Sequence, residues 1–226
     1  MTPLGPDEVH VWTDRTDGPN RTDLLNDEEL ERAQRFKVEP PRRQFVAARS
    51  TLRRLLGEYL NSDPRTLKFI TSEHGKPSLA EGGLEFNVSH TEGQVALAFA
   101  HSPVGIDVER FDRDLDHDSL TKRFFSEHER QQLSDMDAEE RKAAFFRCWT
   151  QKEAYLKALG SGLSRDTRSF AVNCRAGVGG LVADDDNTLA PQRWRLQHVI
   201  GEDEFSVSLA VTSSIRKVRC FKAAES

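Results

Sequence analysis

The chain has 226 residues, a formal charge of −5, 31% charged residues and 37% apolar residues. That is enough to bury the core of one large or two small soluble domains, and the acidic balance argues against a general nucleic-acid binder. No apolar run approaches the roughly 20 residues that cross a bilayer, Met1 to Asp14 shows no signal-peptide pattern, and three widely spaced cysteines, Cys148, Cys174 and Cys220, fit neither a disulfide framework nor a zinc site; a reducing cytoplasm is the expected home.

Val9 to Trp12 predicts a short strand. Asn26 caps an acidic helix start, Asp27-Glu28-Glu29, with the helix expected to run to about Phe36. Pro40-Pro41 breaks it and suits the first turn of the next helix. There Phe45, Ala48, Leu52, Leu55, Leu56, Tyr59 and Leu60 recur at spacings of three and four. From Arg32 to Arg54 the chain holds eight Lys or Arg residues against one acid, Glu39. Arg42, Arg49 and Arg53 form a stripe beside the apolar face. Such a stripe suits phosphate, which guanidinium binds as a fork, although a solvated basic face fits the same spacing. Leu67 to Ile70 reads as a strand, and the Gly75-Lys76-Pro77 turn holds Lys76 away from the backbone. Leu84 to Val88 leads into Asn87-Val88-Ser89-His90, the chain turns at 91–94, and Val95 to Ala100 runs back. This places Ser89 and His90 at the mouth of a hairpin.

Ser102-Pro103 marks the expected division between an N-terminal half, 1–103, and a C-terminal half, 104–226. Gly105-Ile106-Asp107-Val108-Glu109 follows as a strand. Phe111 to Asp118 is loop-like, Leu120 to Phe125 a short helix. Ser126 and Glu129 form a capping box, and Asp137 opens a longer helix that Gly160 ends. Within that helix Trp149, Glu153 and Lys157 share a face. Trp194 to Val199, a turn at Gly201 to Glu204, and Phe205 to Val211 echo the earlier hairpin about 110 residues on, which hints at a duplicated α/β unit.

Period-two geometry puts Asp107 and Glu109 on one face of their strand and Ile106 and Val108 on the other. Two carboxylates roughly 6–7 Å apart along a strand repel unless something positive sits over them. A divalent cation with oxygen ligands is one answer; a solvated strand edge is the other. Glu153 and Lys157 equally suit an ordinary ion pair one helical turn apart.

Five motifs occur in order: Gly-Lys-Pro (75–77), Asn-x-Ser-His (87–90), Gly-Ile-Asp-x-Glu (105–109), Arg-Phe-Phe-Ser-x-x-Glu (123–129) and Trp-Thr-x-Lys-Glu-Ala-x-x-Lys (149–157). Through them the chain resembles the longer, Sfp-like class of 4′-phosphopantetheinyl transferases. The resemblance implies an α+β fold, a pseudo-twofold pair of similar α/β halves with coenzyme A at their interface. It implies transfer of the 4′-phosphopantetheine arm of coenzyme A to a serine of an acyl, peptidyl or polyketide carrier protein, with adenosine 3′,5′-bisphosphate leaving. The enzyme would be a Mg2+-dependent cytoplasmic monomer, with Mn2+ able to substitute and with no nucleic-acid or membrane partner. By the same resemblance Asp107, Glu109 and Glu153 match metal ligands, and together with Lys157 they form the catalytic set; the chemistry needs a base, and Glu153, or a metal-bound water polarised by it, is the candidate, with a second carboxylate able to share the role. Arg42, Arg43, Arg49, Lys76, Ser89, His90 and Lys157 match groups around coenzyme A. Glu129 is either catalytic or a helix cap. Gln44 stands near a position where the family usually has a basic residue, which Arg42 or Arg43 would replace. The competing reading is a Mg2+-dependent hydrolase of a pyrophosphate in a nucleotide or coenzyme A; it would attack with water, and Nudix and P-loop motifs are absent.

Overall fold

The computed structural model describes residues 2–18, 21–111, 115–199 and 204–223, and in it the chain runs twice through a similar order of elements, the second time with two more helices. The first pass is strand β1 (Glu8–Arg15), helices α1 (Asp27–Gln34) and α2 (Glu39–Leu60), short strands β2 (Phe69–Thr71) and β3 (Pro77–Leu79), and the hairpin β4 (Glu85–Thr91) and β5 (Gln94–Ala100). The second pass is strand β6 (Val104–Arg110), helices α3 (His117–Phe124), α4 (Glu127–Ser134) and α5 (Ala138–Leu159), short strands β7 (Phe170–Val172) and β8 (Leu181–Asp184), the one-turn helix α6 (Ala190–Arg193), and the hairpin β9 (Trp194–Val199) and β10 (Phe205–Thr212). The hairpin echo in the sequence is therefore one part of a repeat of whole units. A last strand, β11 (Lys217–Lys222), pairs in parallel with β1.

The two main sheets have the orders β11-β1-β5-β4 and β6-β10-β9. Alternation along each strand sorts the side chains into layers. Ala96, Ala98 and Ala100 of β5 and Val9 and Val11 of β1 meet Val104, Ile106 and Val108 of β6 and Val207, Leu209 and Val211 of β10 in one buried core between the sheets. The opposite face of β5, Val95, Leu97 and Phe99, packs under Ala48, Leu52, Leu55 and Leu56 of α2. On the second sheet α5 takes the corresponding place. The result is helix, sheet, sheet, helix. The division expected after residue 103 leaves β11 on the other side of that line, because it belongs to the first half's sheet.

Several local expectations shift. Helix α1 stops at Gln34, and Phe36 beyond it packs on Phe45 with ring centroids 5.5 Å apart. Pro40 and Pro41 do occupy the first turn of α2. Ser89 and His90 lie inside the ladder, opposite Ala96 and Val95, because the turn is only Glu92-Gly93, with Gly93 at φ 91°. The expected turn at Gly201 to Asp203 and the Asp112 to Asp114 part of the expected loop lie outside the described residues. Among the described residues no helix is long and apolar enough to cross a membrane.

Candidate active site

The site is built where α5 lies across β6. Val104, Ile106 and Val108 fill the inter-sheet core, so Gly105, Asp107 and Glu109 face α5, as the alternation requires. The approach is close. A Cβ on Gly105 would stand 2.0 Å from the Ala154 carbonyl oxygen and 2.5 Å from the Ala158 nitrogen, so only glycine lets the helix settle here. Settling brings Glu153 and Lys157, on the same face of α5, over Asp107.

Two buried networks fix α5 along its length. Thr150 Oγ1 bonds Ser206 Oγ at 3.0 Å and Ser208 Oγ at 2.7 Å, and Ser208 Oγ bonds His198 Nδ1 at 3.1 Å. Burial, and then the Arg147 cation, push the His198 pKa down to about 4, so its ring is neutral. Next to Glu153, Lys152 Nζ donates to both oxygens of Glu129, at 2.6 and 2.8 Å, and to the Phe170 carbonyl at 2.8 Å. Glu129 also accepts from the Ser126 and Val172 amides. It is fully buried and both its oxygens are taken, and the expected helix cap is present.

Asp107 is 5% exposed. Its Oδ1 accepts from Lys157 Nζ at 2.6 Å and from the Ser89 hydroxyl at 2.8 Å, and Lys157 also donates to Ser89 Oγ at 2.9 Å. Its Oδ2 is buried without a hydrogen-bond partner. A buried carboxylate oxygen left in that state is costly. One oxygen is thus saturated by donors and the other is available to a ligand. Glu153 responds to the same crowding: burial first, then the charge of Asp107, with a smaller push from Glu109, raise its pKa to about 7 against the opposing pull of Lys157.

These features fit a hard cation in charge and in ligand type. They do not form a finished site: among the described residues no three His, Cys, Asp or Glu side chains are gathered so as to hold a metal ion. The expected trio of Asp107, Glu109 and Glu153 shares a field without being preassembled, and Lys157 rests on one of its members.

The other expected site residues separate by what they touch. Lys76 Nζ reaches the Val104 carbonyl at 3.3 Å, and burial lowers its pKa. His90 reaches the surface of β4, where partial desolvation and then Lys157 hold its pKa below the usual value. Ser89 is committed to Asp107 and Lys157. Of the arginine stripe, Arg53 is fully buried and spends itself on Glu29 and on the Pro64 and Leu67 carbonyls, so it is a core residue and cannot meet a phosphate. Arg49 pairs with Glu29 at 3.3 Å and lies over the Phe69 ring, while Arg42 pairs with Glu39 at the surface. Arg43 and Gln44 line a cleft of about 410 Å3 together with Arg15, Gly93 and Arg110, beyond the far end of β6. Asn87, Thr150 and Ser208 were missed as site residues by sequence reasoning. Asn87 and Thr150 stood inside quoted motifs without a role, and the signal for Ser208 was a polar residue at alternate positions of an otherwise apolar strand.

A duplicated α/β scaffold with acids and a lysine gathered at the seam of its halves makes that seam the candidate enzyme site. The comparisons make this specific. Residues 103–210 match the model of the 4′-phosphopantetheinyl transferase superfamily, and residues 14–102 match a 4′-phosphopantetheinyl transferase N-terminal model. The 4′-phosphopantetheinyl transferase HetI of a Nostoc species is 42% identical over 169 residues, covering 70% of this chain and 71% of that protein. The 4′-phosphopantetheinyl transferase Sfp of Bacillus subtilis is 33% identical over 150 residues, 66% of each chain. A phosphopantetheinyl transferase of a Thraustochytrium species is 30% identical, covering 83% of this chain and 70% of its own. Among solved structures, the Thermotoga maritima holo-[acyl-carrier-protein] synthase is 26% identical over 49% of this chain and 62% of its own, with a TM-score of 0.39. The chain belongs to the 4′-phosphopantetheinyl transferase superfamily.

Proposed function

We propose that this enzyme moves the 4′-phosphopantetheine arm of coenzyme A onto a serine hydroxyl of an acyl, peptidyl or polyketide carrier protein, as a cytoplasmic monomer that requires Mg2+. The observation that carries the reading is the Asp107 carboxylate, with Oδ1 held by Ser89 and Lys157 and Oδ2 buried and unpartnered. Asp107, Glu109 and Glu153 would hold the ion, which supplies charge neutralisation on the pyrophosphate of coenzyme A. The serine oxygen bonds to the phosphorus bearing the pantetheine arm, and the bond from that phosphorus to the leaving adenosine bisphosphate breaks. Glu153, once ionised, accepts the serine proton. Lys157 neutralises charge on the transferred phosphoryl group as a point charge. Lys76, His90 and Arg43 would contact coenzyme A, whereas Ser89 acts through Asp107 and Arg49 through the α1–α2 packing.

The test supplies carrier protein, coenzyme A and Mg2+ and weighs the carrier. A gain of about 340 Da, the mass of the transferred arm, is expected on one serine. Coenzyme A cleaved without any gain on the carrier would mean hydrolysis and would refute the proposal. Asp107→Ala is expected to abolish transfer while circular dichroism stays native; normal turnover would remove the cation site from the mechanism.

A further inference from the structure

Strands β4 and β6 belong to different sheets and share no backbone ladder. They nonetheless lie side by side along the seam between the halves. Two backbone donors of β6 are taken by side chains of β4 instead: the Ile106 N–H donates to Asn87 Oδ1 at 2.8 Å, and the Val108 N–H donates to Ser89 Oγ at 3.3 Å. Asn87 and Ser89 are 5% and 7% exposed. A buried amide without an acceptor is strongly disfavoured, so these two bonds fix how far β6 can slide along β4. One residue of slide is about 3.3 Å and reverses every side chain. A fraction of that slide would break the Ser89 to Asp107 bond, because hydrogen bonds tolerate only about half an ångström. Asn is suited to the task. Its carbonyl oxygen accepts the amide, and it adds no charge beside Asp107.

We propose that Asn87 is a positioning residue for the transfer reaction: by accepting the Ile106 amide it sets the register of β4 against β6 in which Ser89 holds Asp107 Oδ1 and Oδ2 is left for the cation. The inference rests on the transferase reading above, in which Asp107 is a metal ligand.

Calorimetric titration of Mn2+ into the Asn87→Ala protein in the presence of coenzyme A tests it. Binding is expected to weaken about 10- to 100-fold, the usual effect of losing a residue that orients a metal ligand. The Ile106 amide is expected to lose protection in hydrogen exchange while amides of β10 keep theirs. A purely structural role would lower the melting temperature and leave the Mn2+ affinity of the folded fraction unchanged; wild-type affinity in a folded variant overturns the proposal. Should the alanine variant fail to fold, Asn87→Val replaces it, a β-branched strand former with no hydrogen-bonding atom to offer the amide. In the wild type the Ile106 amide must be protected, and free exchange there overturns the proposal directly. Failure of the transferase reading is seen separately, as a wild-type protein that leaves carrier proteins unmodified.

Discussion

The Glu153 carboxyl is raised from its ordinary 4.5 to about 7 by burial and by its acidic neighbours. Between those two values the folded chain keeps a proton that the unfolded chain has released. The stability from this group is therefore fully present below about pH 4.5 and is lost as the pH climbs to about 7. At pH 8 the free enzyme carries a crowded anion at a cost on the order of 1–3 kcal/mol. Glu153→Gln keeps the shape without the charge. Its melting temperature at pH 8 is expected to exceed that of the wild type, with the gap closing near pH 4.5, while transfer falls by about 100-fold or more. A variant no more stable than wild type at pH 8 would show that Lys157 already compensates the acids and that no cation is called for. The acids themselves were legible, because strand alternation alone puts Asp107 and Glu109 on one face. What occupies them was not. The Lys157–Asp107 pair joins residues 50 apart in sequence, and no spacing rule links a helix position to a strand position across a fold.

At the scale of elements, the duplication shows in the ion pairs as well as in the order of strands and helices. Helix α1 opens with a capping box whose Glu29 pairs with Arg53 of α2; α4 opens with one whose Glu129 pairs with Lys152 of α5. Each cation lies fourteen residues beyond the first residue of its 22-residue helix. The second capping box and the Asn26 cap of the first could be read from sequence; the second role of each glutamate, as the counter-ion of a buried cation, could not, because burial is a tertiary property. In the second half this pair stands one residue before Glu153 and so anchors the working face of α5. Lys152→Met strands a buried carboxylate and is expected to cost about 3–5 kcal/mol in urea unfolding. The double variant Lys152→Met with Glu129→Gln should recover part of that loss, and strict additivity of the two changes would argue against a coupled pair. Gly105 tests the same contact from below. Gly105→Ala drives a methyl group into the α5 backbone and is expected to destabilise the fold by about 3 kcal/mol or more. A stable, active alanine variant would mean that α5 does not lie where Asp107 needs it.

For the whole molecule, the sequence suggested two halves, and the structure shows what each lends the other. The inter-sheet core takes Val9, Val11 and three alanines of β5 from one half and Val104, Ile106, Val108, Val207, Leu209 and Val211 of β6 and β10 from the other. Separated, each half would expose an apolar sheet face, which favours association. The first half would also lose β11, whose Phe221 stacks on Trp12 with ring centroids 4.6 Å apart and whose Lys217 pairs with Glu8 at 2.9 Å. The second half would lose Asn87 and Ser89, the acceptors of two β6 amides. The return of the C-terminal strand to the first sheet was not legible, since an alternating strand carries no mark of its partner. Expressed separately, residues 1–103 and 104–226 are each expected to lack cooperative thermal unfolding and dispersed amide resonances, whereas the intact chain unfolds in a single calorimetric transition. The seam also holds the candidate site: Ser89 comes from one half and Asp107 and Lys157 from the other. Mixing the two fragments should therefore restore transfer only as they associate, with activity rising as the product of their concentrations. A first half that folds by itself would show that the sheets meet as finished domains, and the acids at the seam would then owe their geometry to docking and not to folding.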